Sequence, residues 1–107
     1  MSIVLERESP PFRQDENGAI RVGNTRVLLE LVIRAFLDGA APESIVQQYS
    51  TLTLSDTYSA IAYYLRHQET VQTYLQQREQ QAETIKQKLQ DFQSDMVTAQ
   101  PSKINKK

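Results

Sequence analysis

A chain of 107 residues, 39% of them apolar and with a formal charge of −1, has room for one domain with a modest core. It holds no cysteine and a single histidine, which excludes a disulfide framework, a thiol nucleophile and a thiolate zinc site. No window approaches the roughly 20 apolar residues that cross a bilayer, and the opening MSIVLERESPPF carries charges where a signal peptide needs its apolar run, so a cytoplasmic protein without a membrane partner is expected.

The first eleven residues read as an arm ended by Ser9-Pro10-Pro11, because neither proline can donate a backbone hydrogen bond. A small β-hairpin is predicted next. Phe12 to Gln14 and Ala19 to Val22 flank Asp15-Glu16-Asn17-Gly18, where Asn-Gly supplies the positive φ of a tight reversal. Gly23-Asn24 marks a second bend, and Thr25-Arg26-Val27 leads into the first helix.

That helix is predicted from Leu28 or Leu29 to Asp38. Leu29, Val32, Ile33, Phe36 and Leu37 stand at the spacing of a buried face, and Gly39 is placed to end it. Pro42 suits the first turn of a second helix, which turns Ile45, Val46 and Tyr49 inward. Thr53 can cap a third, with Asp56 completing a short-armed capping box. The expected inner face of the third helix is Leu54, Tyr58, Ile61, Ala62 and Leu65. From Ala40 to Leu65 the chain holds no lysine or arginine, so it has the outline of a helix-turn-helix without the charge that such motifs bring to DNA.

Beyond His67 the period changes. Val71, Leu75, Arg78, Ala82, Ile85, Leu89, Phe92 and Met96 alternate spacings of four and three, the heptad signature of a coiled coil, with Arg78 the polar occupant. Val71, Leu75, Ile85, Leu89 and Phe92 are therefore candidate residues of a homodimer interface. The alternative is that the first turns fold back on the three-helix core and the rest stays solvated. Charge is uneven along the chain: residues 1–28 balance, 29–67 and 68–95 carry −2 each, and 96–107 carry +3. An acidic middle argues against tight DNA binding by a single copy.

Residues Ile20 to Leu75 resemble the bacterial family known as domain of unknown function 433, abundant in cyanobacteria. The resemblance rests on Gly23-Asn24-Thr25-Arg26-Val27, Asp38-Gly39-Ala40-Ala41-Pro42-Glu43-Ser44-Ile45, Leu52-Thr53-Leu54-Ser55-Asp56 and Ala62-Tyr63-Tyr64-Leu65-Arg66-His67. It implies a helix-turn-helix-like fold and an antitoxin paired with a small ribonuclease-like toxin, and it brings no assigned catalytic residue. The chain departs from the family pattern at Gln68-Glu69-Thr70-Val71-Gln72 and in its glutamine-rich extension.

Candidate chemistry is thin. The glycines of Asn17-Gly18-Ala19-Ile20-Arg21-Val22-Gly23 are followed by no phosphate-loop Lys-Ser or Lys-Thr, and His67 has no nucleophile or orienting partner in view. Asp91 and Asp95 lie one turn apart on a polar face, and Tyr63 and Tyr64 suit packing better than base stacking. Arg26 either pairs with Asp56 as a structural clamp or joins Arg21 and Arg34 in a surface for phosphate or an acidic partner.

The expected protein is mainly α, a three-helix helix-turn-helix-like core with a short N-terminal β-hairpin and a long C-terminal helix. Its expected segments are an arm at 1–11, a domain at 12–75, a helical extension at 76–97 and a flexible tail at 98–107. The expected function is that of a non-enzymatic, antitoxin-like regulator, homodimeric, binding a toxin and, weakly, its own promoter. The competing reading is an assembly adaptor without DNA contact. Neither reading needs a cofactor, a metal or a small-molecule substrate.

Overall fold

The computed structural model describes residues 3–99, and their side chains as far as residue 96; the tail from residue 100 onward lies outside the described residues. The elements run in the order β1 (Phe12–Gln14), β2 (Ile20–Val22), α1 (Leu29–Leu37), α2 (Pro42–Gln48), α3 (Leu54–Arg66) and α4 (Gln68–Ala99). The fold is mainly helical, with a two-stranded hairpin at the N-terminal side and a long C-terminal helix. The chain divides into two compact units, Met1–Val71 and Gln72–Lys107. The break falls just after Val71, which at 3% exposure is part of the first unit's interior.

In the first unit the strands pair antiparallel, Phe12 with Val22, Arg13 with Arg21 and Gln14 with Ile20. The connection is a type I turn closed by a glycine in the left-handed region. Gly18 N–H donates to Asp15 O at 3.0 Å and Gly18 has φ 87°, while Asn17 keeps a negative φ. Only the second residue of Asn-Gly therefore needs the special conformation that the sequence suggests for the pair. The Asp15 carboxylate supports the turn from inside, accepting from Asn17 N–H at 2.9 Å and Ala19 N–H at 3.0 Å.

Arginines directly opposite one another across a hairpin repel, and here each is drawn to a different partner. Arg13 donates to Gly23 O at 2.7 Å and Thr25 O at 2.5 Å, while Arg21 pairs with Asp15 at 3.0 Å. Arg13 thus holds the bend after β2, in which Thr25 Oγ1 also donates to Val22 O and accepts from Val27 N–H.

Helices α1, α2 and α3 pack on one another, and α1 and α3 also pack on β2. Their common interior is Val22, Leu29, Val32, Ile33, Ile45, Leu52, Ala60, Ile61 and Tyr64, all at or below 5% exposure. Thr57, fully buried, satisfies its hydroxyl by donating to Thr53 O at 2.8 Å. Helix boundaries follow local chemistry: Pro42 opens α2, and the Thr53 hydroxyl caps α3 by accepting from Asp56 N–H at 3.0 Å. Gly39, at φ 103°, follows the end of α1.

Two helix faces differ from the sequence expectation. On α1, Leu37 is 54% exposed, and Phe36 is half-buried with its ring edge-on to Tyr64 at 6.4 Å. On α3 the buried positions are Thr57, Ala60, Ile61 and Tyr64, whereas Leu54, Tyr58 and Leu65 are 42%, 48% and 51% exposed. Small side chains at 57 and 60 let neighbouring backbones approach, which a face of leucines and tyrosines would hold apart.

The second unit is helical from its start to Ala99. Its side chains from Glu79 to Met96 are all exposed, among them Ile85 at 59%, Leu89 at 57%, Phe92 at 61% and Met96 at 47%. No helix among the described residues is long and apolar enough to cross a membrane.

Candidate binding surface

The outer side of α3 is the most distinctive surface of the first unit. Leu54, Tyr58 and Leu65 recur at i, i+4 and i+11, which on a 3.6-residue helix sets them on one side. Tyr58 is anchored there by donating its hydroxyl to Glu43 of α2 at 2.7 Å. That bond holds the Glu43 carboxyl below its ordinary value and raises the Tyr58 hydroxyl, because the phenol is stabilised as donor to a carboxylate. The ring is therefore presented in one orientation. Arg66 in the last turn is the sole basic residue of α3.

Beside this face the arm and α3 enclose an open cleft of about 290 Å³, lined by Pro10, Pro11, Ser59, Tyr63, Arg66 and His67 among others. Of its lining rings, Tyr63 lies against the His67 ring at 4.3 Å and is met edge-on from behind the lining by Phe12 at 5.1 Å. On the arm, Ile3, Val4 and Leu5 are each at least 79% exposed.

The three candidate arginines do not share one state. Arg21 is bound to Asp15 and half-buried, while Arg26 and Arg34 are exposed, Arg26 before α1 and Arg34 on it. The expected Arg26–Asp56 clamp is not formed among the described residues. Asp56 instead sets its carboxylate against Gly23, where a β-carbon would collide with Oδ2, and it returns no bond to Thr53 to close a capping box. Of the five candidate interface residues, Val71 is buried within its own chain and Leu75 is half-buried, so neither offers a full side chain to a partner. Ile85, Leu89 and Phe92 do.

Sequence reading missed Arg13 and the outward turn of Leu54, Tyr58 and Leu65. The second was detectable, since Thr57, Ala60, Ile61 and Tyr64 also stand at i, i+3, i+4 and i+7. No group of three or more His, Cys, Asp or Glu suited to a metal ion occurs among the described residues.

Acid should loosen the hairpin turn. Burial pushes the Asp15 carboxyl up, but the N–H groups of Ala19 and Asn17 and the Arg21 guanidinium outweigh it and hold the pKa below the ordinary 3.8. A depressed folded-state pKa adds stability above the unfolded value and loses it as pH falls through the folded one. An NMR titration of the Asp15 carboxyl should give a midpoint under 3.8, moving upward in Arg21→Ala. A midpoint at or above 3.8 in the parent would contradict this arrangement.

The family described as "Protein of unknown function (DUF433)" matches residues 16–64. Over that stretch the chain is similar to DUF433. The match runs from the hairpin turn to Tyr64, so it takes in β2, α1, α2 and most of α3, while the arm, β1 and the whole of α4 lie outside it. No curated protein and no solved structure matches the chain.

Proposed function

We propose that this protein is a cytoplasmic, non-enzymatic binding protein, an antitoxin-like regulator that works as a homodimer and docks a small toxin protein on the outer side of α3. The observation that carries the reading is the exposed row of Leu54, Tyr58 and Leu65, at 42–51% exposure, on the helix that a helix-turn-helix would offer to DNA. Apolar and aromatic side chains gain most when buried against another protein, with Tyr58 as a pre-oriented anchor.

DNA contact has a minor part in this proposal. Ser55, Ser59 and Tyr63 can donate or accept single hydrogen bonds, but the bidentate arginine contact to guanine has no counterpart on α3 before Arg66. Arg26 and Arg34, both exposed, are the arginines that would meet phosphate, while Arg21 is paired with Asp15. A second reading, an assembly adaptor with no DNA contact, draws on the same shortage of basic residues.

The test is calorimetric binding to the product of the reading frame adjacent to its gene. Leu54→Ser/Leu65→Ser should weaken binding by more than about tenfold, the loss of two apolar contacts at an interface core, with the thermal midpoint kept. Undiminished binding by the folded double variant would remove α3 as the docking face. Binding of the upstream duplex, lost in Arg26→Ala/Arg34→Ala, favours the regulator; no binding by the parent favours the adaptor.

A further inference from the structure

The homodimer proposed above can be given an orientation. Four large apolar side chains, Ile85, Leu89, Phe92 and Met96, lie exposed on α4 at heptad spacing, and the surrounding residues are mostly glutamine and charged, with Ala82, Thr84 and Ser94 among them. In heptad terms Ala82, Leu89 and Met96 take the a positions, and Arg78, Ile85 and Phe92 the d positions. The flanking e positions are then Glu79, Lys86 and Gln93, and the g positions Gln81, Lys88 and Asp95.

A parallel pair sets each g residue beside the e residue five positions on in the partner. Gln81 would meet Lys86 and Lys88 would meet Gln93, so no opposite charges would pair, and Arg78 would face its own copy across the seam. An antiparallel pair instead brings a against d, g against g and e against e. The register that sets Leu89 on Phe92 and Ile85 on Met96 also brings Lys88 of each copy to Asp95 of the other, twice by symmetry. Sliding that register one heptad toward the N-terminus puts Lys86 on Lys86 and Lys88 on Lys88, and sets Met96 against Arg78. Neither Lys88 nor Asp95 has an ion-pair or hydrogen-bond partner among the described residues of its own chain.

We infer that the exposed face of α4 is occupied by a second copy of this chain running antiparallel, with Ile85 on Met96 and Leu89 on Phe92, and with its register fixed by reciprocal Lys88–Asp95 pairs. The apolar row supplies the attraction and its two ends carry opposite charge, so the surface is complementary to itself only when one copy is turned end for end. This orientation rests on the homodimer reading. Its interface lies entirely outside the matched family segment and uses none of the α3 surface.

Sedimentation equilibrium of the full chain gives the dimer dissociation constant. Lys88→Asp and Asp95→Lys should each raise it about tenfold, since either turns two attractive pairs into two repulsive ones, and the combined charge swap should bring it back near the parent value. The absence of native cysteine allows an independent check of direction. In the antiparallel pair Ile85 and its own copy are eleven residues apart along the axis, about 16 Å at the rise of a helix, which is beyond the reach of a disulfide. Mixed Ile85→Cys and Met96→Cys chains should therefore cross-link to each other on oxidation, while Ile85→Cys alone should not. Self-linking of Ile85→Cys in a dimer of unchanged affinity would overturn the orientation and leave the homodimer standing. Monomer at every concentration would overturn both.

Discussion

Ile33→Ala is expected to destabilise the first unit by about 2–5 kcal/mol, the range for truncating a large aliphatic side chain in a packed core. Ile33 is fully buried in α1, the helix that packs on both α2 and α3. Small domains have only about 5–15 kcal/mol in hand, so this one change removes a large share of the total. In a domain of this size each kcal/mol moves the midpoint by roughly 4–8 °C. The thermal midpoint by circular dichroism should therefore fall by about 10 °C or more. Leu37→Ala, on the same helix but 54% exposed, should cost no more than about 0.5 kcal/mol. Equal losses from the two variants would place the core on the wrong side of α1.

The second large effect is expected at Gly23, where backbone and packing act together. Its φ of 62° lies in the left-handed region, and an added β-carbon would strike the Asp56 carboxylate oxygen. Gly18 is the natural control: its φ is 87°, yet nothing lies within 4 Å of the place a β-carbon would take. Gly18→Ala should cost about 1 kcal/mol for conformation alone, and Gly23→Ala up to about 3 kcal/mol with the displacement of Asp56 added. In an Asp56→Ala background the gap between the two substitutions should close. Urea unfolding of the six chains measures it, and a gap that persists without the carboxylate would mean that the collision is not its cause.

What could be read from the sequence was mostly local. Pro42, the Thr53 cap, the Asn17-Gly18 turn and the bend at Gly23 each rest on the chemistry of a few adjacent residues, and each stands in the structure near its expected place. The error in the phase of α3 has a different origin. Ranking positions by hydrophobicity favoured Leu54, Tyr58 and Leu65, whereas packing against α1 and α2 selected a face that includes Thr57 and Ala60 because they are small. The same limit applies to Asp56, whose partner was sought among cations. Its carboxylate is placed instead by the absence of a side chain at Gly23, far away in sequence. Arg21 was recognised as a candidate contact, but its use by Asp15 depends on the closed hairpin. The exposed heptad residues were identifiable from spacing alone. The burial of Val71 was not, because the period runs without a break across the boundary between the two units.

The facing pair Arg13 and Arg21 has a consequence for how the protein responds to ionic strength. Added salt weakens the repulsion between the two guanidinium groups, and by the same screening it weakens the attraction of Arg21 to Asp15, so its two effects on the hairpin oppose each other. The bonds from Arg13 to the carbonyl oxygens of Gly23 and Thr25 are to dipoles at contact distance, where mobile ions have little room to intervene. A change of electrolyte should therefore leave the fold of this corner much as it was, and a loss of binding at high ionic strength would report on the contact with the partner rather than on an opening of the hairpin.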